Sequence, residues 1–274
     1  LQVPLDASLE DVNYQLVTTA LVGSRKRLGV AEITSVWGYA MSRCLLSIDW
    51  DYFVATKEEN WGSFTESKKG LVDLWYKRYL KAKAEGTDLQ DMYKLSPAWR
   101  TFWQRLEGRF TMDEDTKMYV TDSHLWSYKI AKKHDCRTVC LFDSHADLGY
   151  GGLSSLDFEV NCSNWLGRLL KDEHSENAHI VYSPHTLEKP EHFQEINSMY
   201  TITYYTNLDD LDGPFNVSAI HVCRSGAWTP PWFDDKFVMF VEALGKEYEV
   251  IDCPKRKWDT KSLSLSRQID YLFA

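Results

Sequence analysis

Two aspartates stand two residues apart in Ser47-Ile48-Asp49-Trp50-Asp51, and three ligand-type residues stand two apart in Asp143-Ser144-His145-Ala146-Asp147. In an extended chain, residues two apart point the same way. Asp49 and Asp51 are therefore expected to face one site, as are Asp143, His145 and Asp147. A third segment, Thr121-Asp122-Ser123-His124, adds another imidazole. Four carboxylates and two imidazoles are a mixed hard and borderline donor set that suits manganese, with zinc or iron as alternatives. Gathered without a cation, four aspartates repel and raise one another's pKa values, a conflict that a pair of divalent ions removes. Two metals at one site also lower the pKa of water enough to make a nucleophile near neutral pH, so the chemistry to expect is hydrolysis. A lone Asp-x-Asp is more often a turn or a helix cap. Asp-x-His-x-Asp directly after an apolar strand is rarer, and the three segments together point to a metal site.

Each segment follows a short apolar run: Cys44–Ile48, Met118–Thr121 and Arg137–Phe142. Further strands are predicted at His179–Tyr182, 201–205, Val217–Val222 and Tyr248–Ile251. Helical periodicity covers 66–85, 88–107 (interrupted by Pro97), Ser123–His134, Asn161–Lys171, 190–199 and 234–245, with Asp122 or Ser123 as N-cap of the third. Strands alternating with helices predict a single-domain, three-layer α/β/α fold with a mostly parallel sheet. Ligands of such sheets bind outside the carboxyl ends of the strands, where all three motifs fall.

The chain has 274 residues, 44% hydrophobic and 26% charged, with a net charge of −9. That is enough apolar material for a packed core, and the acidic balance argues against a nucleic-acid partner. Six scattered cysteines, none in a Cys-x-x-Cys pair, read as reduced thiols of a cytoplasmic protein. No apolar run reaches the length of a membrane span. Most of the eleven tryptophans are expected to pack in the core. Residues 1–40 differ in character from the rest of the chain and carry the basic cluster Arg25-Lys26-Arg27. They read as an N-terminal extension or appended segment before a hydrolase domain over 41–274, and Arg25 or Arg27 would let the segment contain or mimic a substrate.

The three motifs resemble those of the arginase–agmatinase–deacetylase superfamily, whose ureohydrolase branch has a Ser-x-Asp-x-Asp strand end, an Asp-His-type junction and an Asp-x-His-x-Asp loop. The resemblance is confined to these motifs and the strand–helix order around them, between Cys44 and Trp165. It implies an arginase-like fold with two manganese ions per chain. His124, Asp143, Asp147 and Asp49 would hold one ion, and His145, Asp143, Asp49 and Asp51 the other. In ordinary ureohydrolases the Asp-x-Asp strand follows the other motifs; here it comes first, as in a circular permutation. That order, together with the segment Arg224-Ser225-Gly226-Ala227-Trp228-Thr229-Pro230-Pro231-Trp232, is similar to an arginase-like branch that includes the peptide arginases of ribosomal natural-product (RiPP) pathways.

The implied reaction is hydrolysis of the guanidinium of an arginine within a precursor peptide, leaving ornithine and urea, with Asp147 as proton carrier. Asn161, Asn164 and Glu159, with Asp157 as a further carboxylate, are the candidate substrate contacts in the loop after Asp147. Ser225 and Trp228 fall on the same edge. His174, His179, His185 and His221 read as structural, with a proton shuttle as the other possibility. Competing readings are a free arginine or agmatine ureohydrolase, a zinc deacetylase-like amidohydrolase, and a metal-stabilised binding protein without turnover.

Overall fold

The computed structural model describes residues 42–56 and 71–273, so the segment expected over 1–40 lies outside the described residues. The first apolar run becomes strand β1 (Arg43–Asp49), buried from Cys44 onward. A short antiparallel pair follows, β2 (Val54–Thr56) and β3 (Tyr93–Leu95), with helix α1 (Leu71–Ala84) between them in sequence. The chain continues through α2 (Phe102–Leu106), β4 (Phe110–Thr121), α3 (Trp126–Lys133), β5 (Thr138–Asp143), α4 (Trp165–Lys171) and β6 (Asn177–Tyr182). It ends with α5 (Gln194–Met199), β7 (Thr201–Tyr205), β8 (Phe215–Cys223), α6 (Asp234–Glu242), β9 (Tyr248–Asp252) and α7 (Leu265–Phe273).

Seven strands form one sheet in the order β7-β6-β5-β1-β8-β4-β9, and each neighbouring pair is parallel. On one face Leu46, Ile48, Phe142 and Val222 pack against Phe102 and Leu106 of α2 and Phe237 and Phe240 of α6. On the other, Leu45, Leu141, Ile180 and Ala219 pack against Ile130 of α3, Trp165 and Leu169 of α4, and Ile196 of α5. The result is the expected three-layer α/β/α arrangement, with strands apolar on both faces because both faces are covered. Alternation along the strands then puts Ser47, Asp49, Thr121, Asp143, Tyr182 and His221 on the second face, the face of α3 and α4. Among the described residues no helix is long and apolar enough to cross a membrane.

Three expectations need correction. The helix expected over 88–107 is broken into the short turns Leu89–Met92 and Pro97–Arg100, strand β3 and α2. Asp88 and Ser96 cap those turns by accepting from the N–H groups of Gln90 and Ala98, and Tyr93–Leu95 pairs with β2. Helix α3 starts at Trp126 with no side-chain cap, because the carboxylate of Asp122 is taken by Arg224. The helix expected from Asn161 begins at Trp165, since Asn161 and Asn164 fold the preceding turn. Strand β2 is too short to show alternation, and helix α7, although amphipathic, was not among the expected helices.

Candidate metal centre

The four central strands, β5-β1-β8-β4, carry the site at their carboxyl ends. Asp49 ends β1 and Asp143 ends β5, but the residues after them are not extended as alternation predicted. Asp49 Oδ1 accepts the N–H of Asp51 at 3.1 Å, opening the helical turn Trp50–Phe53. Asp143 Oδ1 accepts the N–H of His145 at 2.8 Å. Aspartate side chains that bond the backbone two residues on make tight turns. Here those turns, rather than strand pleating, aim Asp51 and His145 back toward the residue that starts each motif. The two turns are stitched together, since Ser144 N–H donates to Asp51 Oδ1 at 3.2 Å and the Ser144 hydroxyl to the Asp51 carbonyl at 3.1 Å.

Asp147 is held from the other side. Its φ of 51° lies in the left-handed region, which aspartate tolerates better than most residues. Its carbonyl receives the N–H groups of Leu166 and Gly167 at 3.1 and 3.3 Å, and its Oδ2 receives the indole N–H of Trp165 at 2.6 Å. Helix α4 comes this close only because position 167 is glycine. A Cβ there would lie 2.3 Å from the carbonyl oxygen of Leu148.

Five of the six predicted ligands converge into two groups that share Asp143: Asp49, His124 and Asp143, and Asp51, Asp143 and His145; Asp147 belongs to neither group but reaches His124. Within each group the ligand atoms lie within 4.8 Å of one another. His124 Nδ1 is 3.3 Å from Asp49 Oδ2, 3.0 Å from Asp143 Oδ2 and 2.8 Å from Asp147 Oδ2. His145 Nδ1 is 3.0 Å from Asp51 Oδ2 and 3.4 Å from Asp143 Oδ1. Despite these distances, buried His124 Nδ1 and Asp143 Oδ2 have no hydrogen bond of acceptable geometry. Donor atoms that crowd one point without bonding each other are arranged as ligands around a cation, because a buried polar atom otherwise finds a partner. The residues present therefore fit a divalent metal pair.

Electrostatics agree. Burial and the charge of Asp51 raise the Asp49 carboxyl, and burial with Asp51, Asp147 and Asp49 raises Asp143 well above the usual range. Burial alone would raise Asp51, but His145 outweighs it and holds that carboxyl low. Burial disfavours the charged ring of His124, yet Asp143, Asp147 and Asp49 override it and raise its pKa well above 6.5. His145 is raised the same way by Asp51 and Asp143 against its burial.

Behind His124 runs a chain of hydrogen bonds that sequence reasoning missed. His124 Nε2 meets Ser47 Oγ at 2.8 Å, Ser47 Oγ meets Ser127 Oγ at 2.8 Å, and Ser127 Oγ meets His221 Nδ1 at 2.5 Å. His221 Nε2 meets Thr121 Oγ1 at 2.8 Å, and the Thr121 hydroxyl donates to the carbonyl of Ser123 at 2.9 Å. That last bond sets a direction. With its one proton committed, Thr121 accepts from His221 Nε2–H; His221 Nδ1 then accepts from Ser127, Ser127 from Ser47, and Ser47 from His124 Nε2–H. The Nδ1 lone pair of His124 is left facing the aspartates, as a metal ligand requires. Burial pushes His221 well below its ordinary pKa, consistent with a neutral ring. His221 is thus structural, as expected, but its structure serves the site.

The loop after β8 closes the centre. Ser225, at a left-handed φ of 49°, donates its hydroxyl to Asp49 Oδ2. Beside it, Arg224 grips Asp122 through Nε and Nη2 at 2.9 and 2.7 Å, while Asp234 bridges Arg224 and Arg256. Gly226 presses on Asp122, where a Cβ would lie 2.6 Å from Oδ1. Ser225 therefore joins the site, whereas Trp228 contributes a backbone N–H to the turn at Ser225.

Of the candidate substrate contacts, Asn161 and Asn164 are engaged inside their own loop. Buried Asn164 accepts from Asn161 N–H at 2.8 Å and donates to the carbonyls of Ser155 and Glu159. Asn161 accepts from Ser163 N–H and hydroxyl, Glu159 has an exposed side chain, and Asp157 pairs with Lys171 at 2.5 Å. Glu188, which sequence reasoning passed over, stands beside the ligand loop instead, its Oε2 accepting Ala146 N–H at 2.8 Å. Its position past the end of β6, on the functional edge, was the available signal. Comparison of the chain with models of known protein families, with curated proteins and with solved structures finds no match in any of the three.

Proposed function

We propose that this chain is a binuclear manganese hydrolase that cleaves the guanidinium of arginine within a peptide, giving ornithine and urea. The observation that carries the reading is Asp143, which belongs to both three-ligand groups and so suits a carboxylate shared by two metals rather than a one-metal centre. Asp49, Asp51, His124, Asp143, His145 and Asp147 would hold the pair. When bound, such a pair supplies an acidified water and a positive field for the developing charge. Guanidinium is resonance-stabilised, so a proton donor for the leaving amine is needed as well. Asp147 suits that task because Trp165 and the backbone of α4 fix it while it remains among the ligands. It would take a proton from the attacking water and pass it to the departing nitrogen as the C–N bond breaks.

The peptide as substrate follows from the motif resemblance, and one feature suits it: the His145 side chain is 36% exposed, so the centre opens outward on that side. The buried thiols Cys44, Cys136, Cys140 and Cys223 suit a reducing, cytoplasmic setting. The test is to incubate the manganese-loaded protein with arginine-containing peptides and with free arginine and agmatine, following urea. Mass spectrometry should show a loss of about 42 Da at arginine, the guanidino-to-amine change of this hydrolysis. Urea from the free compounds alone would move the substrate from peptide to small molecule. Acetate release with one zinc per chain, or metal binding without turnover, would replace the reading.

A further inference from the structure

Charge balance leaves one carboxylate over. Asp49, Asp51, Asp143 and Asp147 bring four negative charges, which two divalent ions neutralise while the imidazoles bind as neutral donors. Glu188 is a further carboxylate on the β6 side of the centre. Its Oε2 accepts Ala146 N–H at 2.8 Å, between the ligands His145 and Asp147, and its Oε1 accepts the hydroxyl of Tyr150. The segment leading to it is tied to the same ligand loop. Ser183 N–H donates to the Asp143 carbonyl at 2.8 Å, and the Thr186 hydroxyl donates to the Ser144 carbonyl at 2.5 Å. Thr186 Oγ1 in turn receives Glu188 N–H at 3.0 Å.

Glu188 is thus fixed against the ligands yet only half-buried. A carboxylate that served only to brace Ala146 would be a costly brace, since burial and the charge of Asp147 disfavour its ionised form. An ionised carboxylate has about four lone-pair sites, and the two bonds named leave room for a fork of N–H donors. Two tyrosines flank the place. Tyr150 is 51% exposed as a residue, and its hydroxyl donates to Glu188. Tyr182, the register partner of Asp143, has a buried hydroxyl with no hydrogen-bond partner among the described residues. Burial and the charge of Glu188 push that phenol up, with Asp143 and Asp147 adding to the effect, so it lies within the same negative field.

Resting on the arginase-type reading above, we propose that Glu188, braced by Tyr150, is the carboxylate that grips the cationic guanidinium of the substrate at the mouth of the metal centre. A planar guanidinium presents paired N–H donors to a carboxylate and carries the charge that the surplus anion selects. The neutral ureido group of citrulline has nearly the same shape and lacks that charge.

The experiment compares N-acetylarginine amide with N-acetylcitrulline amide on the full chain loaded with manganese, for wild type, Glu188→Gln and Tyr150→Phe. Binding is read by calorimetry, or as KM where a probe turns over, with metal content measured alongside. Wild type should prefer the arginine probe. Glu188→Gln should weaken it by about 10–100-fold, the loss of one charge-assisted pair, while the citrulline probe and the metal content stay unchanged. Tyr150→Phe should shift the same ratio in the same direction by a smaller factor, and it decides alone if Glu188→Gln loses metal or fails to fold. Equal weakening of both probes, a preference that survives in the variants, or no preference in wild type would overturn the assignment. Because binding needs no turnover, absence of urea from wild type would count against the hydrolase reading and leave the cation clamp standing or falling on the ratio.

Discussion

Two buried charged clusters adjoin one another at the carboxyl edge of the sheet, and they meet opposite requirements. In one, Arg224 and Arg256 face Asp122 and Asp234, so guanidinium and carboxylate balance inside the chain. In the other, Asp49, Asp51, Asp143 and Asp147 share their space with two imidazoles, and no side chain of that group is permanently positive. The same strand ends feed both: Asp122 and His124 follow β4, Arg224 and Ser225 follow β8. A closed cluster carries its own counter-ions and can only hold the fold. An open one lacks such counter-ions, and its donor atoms are placed as a divalent cation pair would need them.

The largest effect should come from breaking the open cluster at its shared member. Asp143→Ala should abolish binding of both metals, read by elemental analysis, and cut urea release by more than about a thousandfold, since the metals supply several kcal/mol of transition-state stabilisation. Unchanged metal content would remove the site assignment altogether. Breaking the closed cluster should act on folding instead. Arg224→Met leaves Asp122 buried without its counter-charge and should cost about 3–5 kcal/mol in denaturant unfolding. Much of that should return in Arg224→Met with Asp122→Leu, where no lone charge remains.

Metal removal sharpens the contrast. At a manganese concentration about 100 times its Kd, unfolding free energy should rise by about 2.7 kcal/mol for each ion bound, over the chelated protein. No such gain should appear in Asp143→Ala. A smaller effect is expected from the hydrogen-bond chain: Ser127→Ala or His221→Phe should lower metal affinity by about 10–100-fold, the usual range for groups that orient a metal-bound imidazole. Rescue of affinity by Ser127→Thr, which keeps the hydroxyl, would separate orientation from packing. The pH response tests the same centre without a substitution. In the metal-free centre His124 and His145 have raised pKa values, so they hold protons that the metal must displace. Affinity should therefore rise with pH, by about tenfold per unit for each proton displaced. A manganese titration that is flat between pH 6 and 8 would contradict this.

Much of this contrast was legible in the residues, though unevenly. The apolar run Cys44–Ile48 with its terminal Asp49, and Arg137–Phe142 with Asp143, mark strand ends that the fold reproduces almost to the residue. His221 was not legible as part of the site, because a lone histidine within Ala219–Val222 looks like core. Its partner Ser127 lies 94 residues away. Asp122 looked like a helix cap by every local rule, but a buried guanidinium outcompetes the few backbone N–H groups of a helix start. Asn161 and Asn164 sat in the right loop and were spent on folding it.

The sequence by itself determined the donor types, their two-residue spacing and the alternation of apolar runs with amphipathic stretches, because these are encoded by neighbours along the chain. Only the tertiary structure decided which carboxylates find an arginine and which stay open for a cation. That choice depends on strand order. β1 lies between β5 and β8, and β8 next to β4, so Asp49, Asp143, His124 and Ser225 meet at one edge while Asp122 turns to Arg224. Strand order is set by covering both faces of a parallel sheet with helices, a non-local condition that no short window of residues can express.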